Sequence, residues 1–83
     1  MVSRADVYAA IDAERERQAR KWAGAHSWGA GDASSSDVAD IVKTAVLTEE
    51  CGEVARAVLD GEGLREELVQ VAAVAVAWLE GLS

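Results

Sequence analysis

The sequence predicts an all-α fold, with three main helices per chain assembling into an oligomeric helical bundle. Three observations point there. Proline is absent and 51% of the chain is hydrophobic, with Ala, Val, Leu, Glu and Arg dominant, a composition that favours helix over sheet. Apolar residues recur at intervals of three and four, the spacing of a single helix face. The Gly-rich stretches fall between these periodic segments. At 83 residues the chain reads as one domain, 1–83, near the length at which a lone chain struggles to bury enough apolar surface.

The first helix is predicted to be capped by Ser3 or Asp6, with Val7, Tyr8, Ile11 and Ala19 among many charges. From Gly24 to Ser36 the periodicity gives way to Gly, Ala, Ser and Asp around His26 and Trp28, which reads as a loop. Ser36 or Asp37 is then expected to cap a second helix reaching about Leu59, with Val38, Ile41, Val42, Ala45, Val46, Val54, Ala57 and Val58 at helical spacing. Asp60-Gly61-Glu62-Gly63 supplies a stop and a turn. The third helix runs roughly from Leu64 to Leu82. Between Leu68 and Leu79 every residue except Gln70 is apolar, and a helix hydrophobic around its whole circumference needs cover on all sides. Three helices alone do not provide it, so a homodimer or homotetramer with two-fold symmetry is expected.

Charge and cysteine usage narrow the function. A formal charge of −7 argues against nucleic acid as a partner, because backbone binding needs a basic face. One Cys and one His exclude a disulfide framework and an ordinary structural zinc site. Cys51 is expected to be a small buried hydrophobe in the reducing cytoplasm. The N-terminus carries charge within its first six residues and shows no signal-peptide core. The apolar run of the third helix is too short to span a bilayer, so no membrane role is expected.

The chemistry gathers in acids on two successive helices, Glu49-Glu50-Cys51-Gly52-Glu53 and Glu66-Glu67-Leu68-Val69-Gln70. Residues three or four apart share a helix face, so Glu50 projects with Glu53, and Gln70 lies one turn beyond Glu67. Left alone, such a cluster repels itself. A hard divalent cation such as magnesium satisfies it, taking oxygen ligands and keeping waters that a phosphate can replace. The competing reading is a solvated surface, and Glu66 is expected to be one. Lys43, two turns before Glu50, meets either a phosphate or a salt-bridge partner, and Arg56, three residues after Glu53, is expected to pair with it. Trp22, Trp28 and His26 lie where the first helix meets the loop, where a Trp either stacks on a base or packs in the core. Trp78 is expected in the core or an interface.

These stretches, Ala45 to Ala57 and Leu64 to Ala72, together with Glu14-Arg15-x-Arg17-Gln18-x-x-Lys21-Trp22 upstream, resemble the MazG-like all-α nucleoside triphosphate pyrophosphohydrolases, especially the short members found in phages and actinobacteria. The resemblance implies magnesium- or manganese-dependent hydrolysis of a nucleoside triphosphate to monophosphate and pyrophosphate. Carried over position by position, Glu50, Glu53 and Glu67 match the metal-binding acids, and Glu49 matches an acid that holds a second metal or orients the attacking water. Gln70 stands where the family has Asp, so it contributes at most a neutral carbonyl oxygen to the metal. Lys21, Trp22, Trp28 and Lys43 are the candidate substrate contacts. The alternative implied by Gln70 is a nucleotide- or metal-binding regulatory module of the same fold with reduced or lost hydrolysis.

Overall fold

A computed structural model describes residues 2–82 and contains three helices: α1 (Arg4–Lys21), α2 (Asp40–Asp60) and α3 (Leu64–Gly81). Between α1 and α2 lie two short strands, β1 (Ala25–His26) and β2 (Gly29–Ala30). The all-α class therefore holds, with one small addition.

Both candidate caps of α1 act together. Ser3 Oγ accepts the Asp6 N–H at 3.1 Å, and Asp6 Oδ2 accepts the Ser3 N–H at 3.2 Å, a reciprocal box that satisfies two orphan donors. Arg20 and Lys21 close the helix, where cations complement the negative end of its dipole.

The start of α2 differs from expectation. Neither Ser36 nor Asp37 caps it; Ala39 occupies the N-cap without a side-chain bond. The preceding residues are committed elsewhere: Ser35 Oγ accepts the Asp37 N–H at 3.1 Å and the Ser35 carbonyl accepts the Val38 N–H at 3.3 Å. That local turn competes with helix and delays its start. At the far end Gly61 takes the left-handed conformation, φ 75°, and its N–H reaches the Ala57 carbonyl at 2.9 Å. The predicted Asp60–Gly63 turn is therefore built as expected.

The helix α3 is the element on which both others pack. Its innermost residues are small: Ala73, Val74 and Ala77 are buried, and with Val38 and Ala57 they form the core. The indole of Trp78 ties α3 to the first turn of α2, donating Nε1–H to Asp40 Oδ1 at 3.2 Å. Much apolar surface stays uncovered. Ile41, Leu59, Leu68, Leu79 and Leu82 are all exposed, and no large side chain among the described residues is fully buried. The accessible surface is 5652 Å² for 8.7 kDa, whereas a compact monomer of that mass exposes about 4,700 Å². No helix among the described residues is long and apolar enough to cross a membrane.

The segment expected as a plain loop is a folded strap. β1 and β2 pair antiparallel, Ala25 with Ala30 and His26 with Gly29. Gly29 has φ 131° and its Cα faces the Asp37 backbone carbonyl so closely that any Cβ would collide with it, which is why a side chain is excluded there. The strap is latched to the bundle by Arg15. Its guanidinium pairs with Asp32 of the strap through Nη1 and with Glu80 of α3 through Nε at 2.7 Å and Nη2 at 2.6 Å. Asp32 Oδ1 also accepts from the Ser34 N–H at 2.9 Å and the Ser34 hydroxyl at 2.6 Å. Gly81 lets Ser34 lie directly on the end of α3, since a Cβ there would sit 2.7 Å from the Ser34 carbonyl oxygen.

Candidate functional site

Ile11, Glu14, Arg15 and Gln18 of α1, with its C-cap Trp22, are half-buried, a stripe of five at helical spacing that faces inward. Three of the five are polar, which is unusual for a packing face and gives the bundle a polar interior on that side. Glu14 is held by Arg17 through two bonds of 2.7 and 2.6 Å and by Gln18 at 3.1 Å. The Arg17 hydrogen bond is the main reason its carboxyl titrates below the usual glutamate range. Arg17 is thus engaged by Glu14 rather than free for a phosphate.

Across from this stripe, α2 and α3 bring together Glu50, Glu67 and Gln70. With its amide nitrogen turned toward the acids, Gln70 donates to Glu50 Oε2 at 2.9 Å and to Glu67 Oε2 at 3.3 Å. One amide therefore bridges carboxylates on two helices. In that orientation Gln70 cross-links the two acids; turned the other way its carbonyl oxygen faces the same space, where a cation held by Glu50 and Glu67 would take it. Glu50 titrates above the ordinary glutamate range, first because burial disfavours its charge and then because Glu67, Glu49, Glu53 and Glu14 all face it. That list reaches acids on all three helices. Glu14 is the member the sequence reading omitted; its place in the inward stripe between Ile11 and Trp22 was the available signal.

Glu49 and Glu53 are exposed. Glu49 joins Glu50 in the wall of a cleft, whereas Glu53 and Glu67 line a separate, mostly acidic depression together with Glu66 and Arg56. The Gln70 bridge joins the two. Among the described residues no three acidic, His or Cys side chains converge tightly enough to hold a metal unaided. The donor chemistry still fits magnesium, which is commonly held by one or two carboxylates plus waters and substrate phosphates. Burial first, and then the neighbouring carboxylates, raise Glu50, and a bound cation would relieve the second of these.

The cleft has a volume of about 200 Å³ and lies between α1, the strap and α2. Trp22, His26 and Trp28 form an aromatic wall, with Trp22 5.3 Å from His26 and 5.9 Å from Trp28 between ring centres. His26 pins the strap. Its Nε2 meets the Gly31 carbonyl at 2.7 Å, and its Nδ1 accepts the Trp28 N–H at 3.2 Å. A carbonyl only accepts and an amide N–H only donates, so the Nε2–H tautomer uses both ring nitrogens and leaves none for proton transfer. Trp28 is 53% exposed, so it is no core residue. Lys21 lies with Nζ 5.3 Å from the Trp22 ring centre, a cation–π distance. Lys43 is buried beside Val42 and Val46 in the cleft floor. Arg56 makes no ion pair with Glu53, and Cys51 is exposed and free rather than buried. No family model matches this chain, and comparison with curated proteins and with solved structures gives no match either.

Proposed function

We propose that this protein is a magnesium-dependent nucleotide pyrophosphohydrolase of the MazG-like type, cleaving a nucleoside triphosphate to monophosphate and pyrophosphate in the cytoplasm. The observation that supports this reading is that Glu50, in the wall of the cleft that Trp22 and Trp28 also line, and Glu67 both lie within hydrogen-bond reach of the Gln70 amide across α2 and α3. A phosphate chain reaches the acids while its base reaches the rings. Glu50 and Glu67 hold the cation, with Glu53 one turn along α2 from Glu50. Glu49, exposed at the same wall, orients the attacking water and accepts its proton. When bound, magnesium neutralises phosphate oxygens and acidifies a coordinated water. Lys21 and the two Trp side chains hold the nucleotide, and no covalent nucleophile is required.

The second reading, a binding module of the same fold with hydrolysis lost, is favoured by one observation. The Gln70 amide occupies both carboxylates, where an Asp would instead add a ligand. Incubation with a panel of NTPs and dNTPs plus magnesium, followed by a pyrophosphate assay, separates them. Release that disappears in Glu67→Gln supports the hydrolase. Nucleotide binding without release supports the module.

A second copy of the chain covers the exposed apolar face of α3 and α2. The exposed side chains Ile41, Val58 and Leu59 of α2 and Leu64, Leu68 and Val76 of α3 supply the apolar surface that such a contact would bury. This protein is therefore proposed to act as a homodimer, or as a homotetramer built from two such pairs.

A further inference from the structure

The residue that the account so far leaves unexplained is Lys43. It is 4% exposed, and its side chain forms neither an ion pair nor a hydrogen bond among the described residues. Burying an ammonium without a partner is costly. Every fully enclosed side-chain nitrogen or oxygen among the described residues has a partner. The Lys43 ammonium, having none, keeps its small remaining opening, and the open space at that position is the cleft. The group is thus a donor held ready in an apolar floor.

What it meets follows from where it stands. Lys43 precedes Glu50 by seven residues, about 10 Å along the axis of α2, and a helical side chain leans toward the helix N-terminus, which is away from Glu50. Trp22 and Trp28 line the same cleft as Lys43, and their rings favour a flat partner. An ammonium has three donors and no acceptor. It therefore favours a ring edge that carries an oxygen acceptor. Guanine, uracil, thymine and cytosine each carry such a carbonyl; adenine carries none, and its N1 and N7 acceptors stand beside the 6-amino donor, which opposes an approaching ammonium.

We propose that Lys43 is the specificity-determining residue of a nucleobase pocket formed with Trp22 and Trp28, which selects a base bearing a ring carbonyl over adenine. The inference rests on the nucleotide reading of the cleft but not on hydrolysis. Its test therefore omits magnesium and triphosphate. Tryptophan quenching is measured with GMP, UMP, AMP and ribose 5-phosphate for wild type, Lys43→Met and Trp28→Leu, with folding checked by circular dichroism. Wild type is expected to bind GMP and UMP about tenfold or more tighter than AMP, the scale of one charge-assisted hydrogen bond. Lys43→Met is expected to level the three, and Trp28→Leu, at an exposed position, to weaken all three nucleotides together. A base preference that survives in Lys43→Met overturns the proposal. So does an equal loss for all four probes in that variant, which makes Lys43 a phosphate contact. Should Lys43→Met fail to fold, unchanged binding in Trp28→Leu overturns it by itself. Absence of pyrophosphate release would count against the hydrolase reading and leave this result standing.

Discussion

Glu50→Gln is expected to lower pyrophosphate release roughly 100-fold or more, the scale of losing one preorganised electrostatic contact to a reacting phosphate, while making the protein more stable at pH 7. The two effects have one origin. Glu50 is disfavoured as an anion by burial and by the carboxylates of Glu67, Glu49, Glu53 and Glu14. Its folded-state proton affinity therefore exceeds that of the unfolded chain. A carboxyl shifted upward adds stability that is fully present below its unfolded value and is lost as the pH rises through the folded one. At neutral pH the wild type carries that penalty and the amide does not. Partial exposure limits the gain to about 1 kcal/mol, an increase of a few degrees in the unfolding midpoint for a domain of this size. Thermal melts of both proteins between pH 4.5 and 8 check it, and the curves should converge toward the acid end. A variant that loses activity and stability together would make Glu50 a structural residue.

Arg15→Met is expected to have the largest effect on folding. Its guanidinium spans Asp32 and Glu80, and the Arg15 and Asp32 side chains are only 14% and 8% exposed. Burial works against the charge of each, but Glu80 and Asp32 raise the Arg15 value, and Ser34 with Arg15 lowers that of Asp32. Removing the cation leaves a nearly buried carboxylate with only the Ser34 bonds, at a cost of about 2–3 kcal/mol. Total stability for a chain of this length is on the order of 4–12 kcal/mol, so the loss is a sizeable share of it. The strap should loosen from α3, weakening the near-ultraviolet circular dichroism of the packed Trp22 and Trp28 rings. The pH dependence changes as well. A lowered carboxyl gives stability that is present above its unfolded value and lost as the pH falls through the folded one, so wild type should lose the Asp32 contribution below about pH 4. In Arg15→Met that acid-side loss should shrink. Unchanged Trp signals would mean that the strap is held by other contacts.

How much of this was legible in the sequence depended on whether the signal was local. The three helices follow from apolar spacing, and the Asp60–Gly63 turn from its glycines, because periodicity and left-handed residues act within a few positions. The start of α2 did not follow, since Ser35 binds the Asp37 and Val38 amides and wins against the helix that Ser36 or Asp37 would have begun. The hairpin was hidden too. Two strands of two residues carry no alternating pattern, and what sets them are contacts that no periodicity encodes: the approach of Gly29 to Asp37 and the grip of His26 on Gly31. The Arg15–Glu80 contact joins residues 65 apart in the chain, with nothing in either neighbourhood to announce it.

The candidate site divides the same way. Glu50, Glu67 and Gln70 could be gathered from spacing alone, because facing positions on consecutive antiparallel helices approach one another. The orientation of the Gln70 amide could not, since it depends on both carboxylates at once. Glu14 was masked by the charged residues around it, although its spacing from Ile11 and Trp22 matches an inward face. Lys43 gave no sequence sign of being unpaired, because burial without a partner is a property of the assembled cleft.

The central claim is that Glu50 and Glu67 form one site across two helices. Calorimetric titration of magnesium, in the presence of a non-hydrolysable nucleoside triphosphate, into wild type, Glu50→Gln, Glu67→Gln and the double variant tests it most directly. A shared site predicts that each single change weakens binding severely and that the double change adds little, the non-additivity of residues acting as a unit. Two small independent losses that simply add, or wild-type affinity in either single variant, would contradict it.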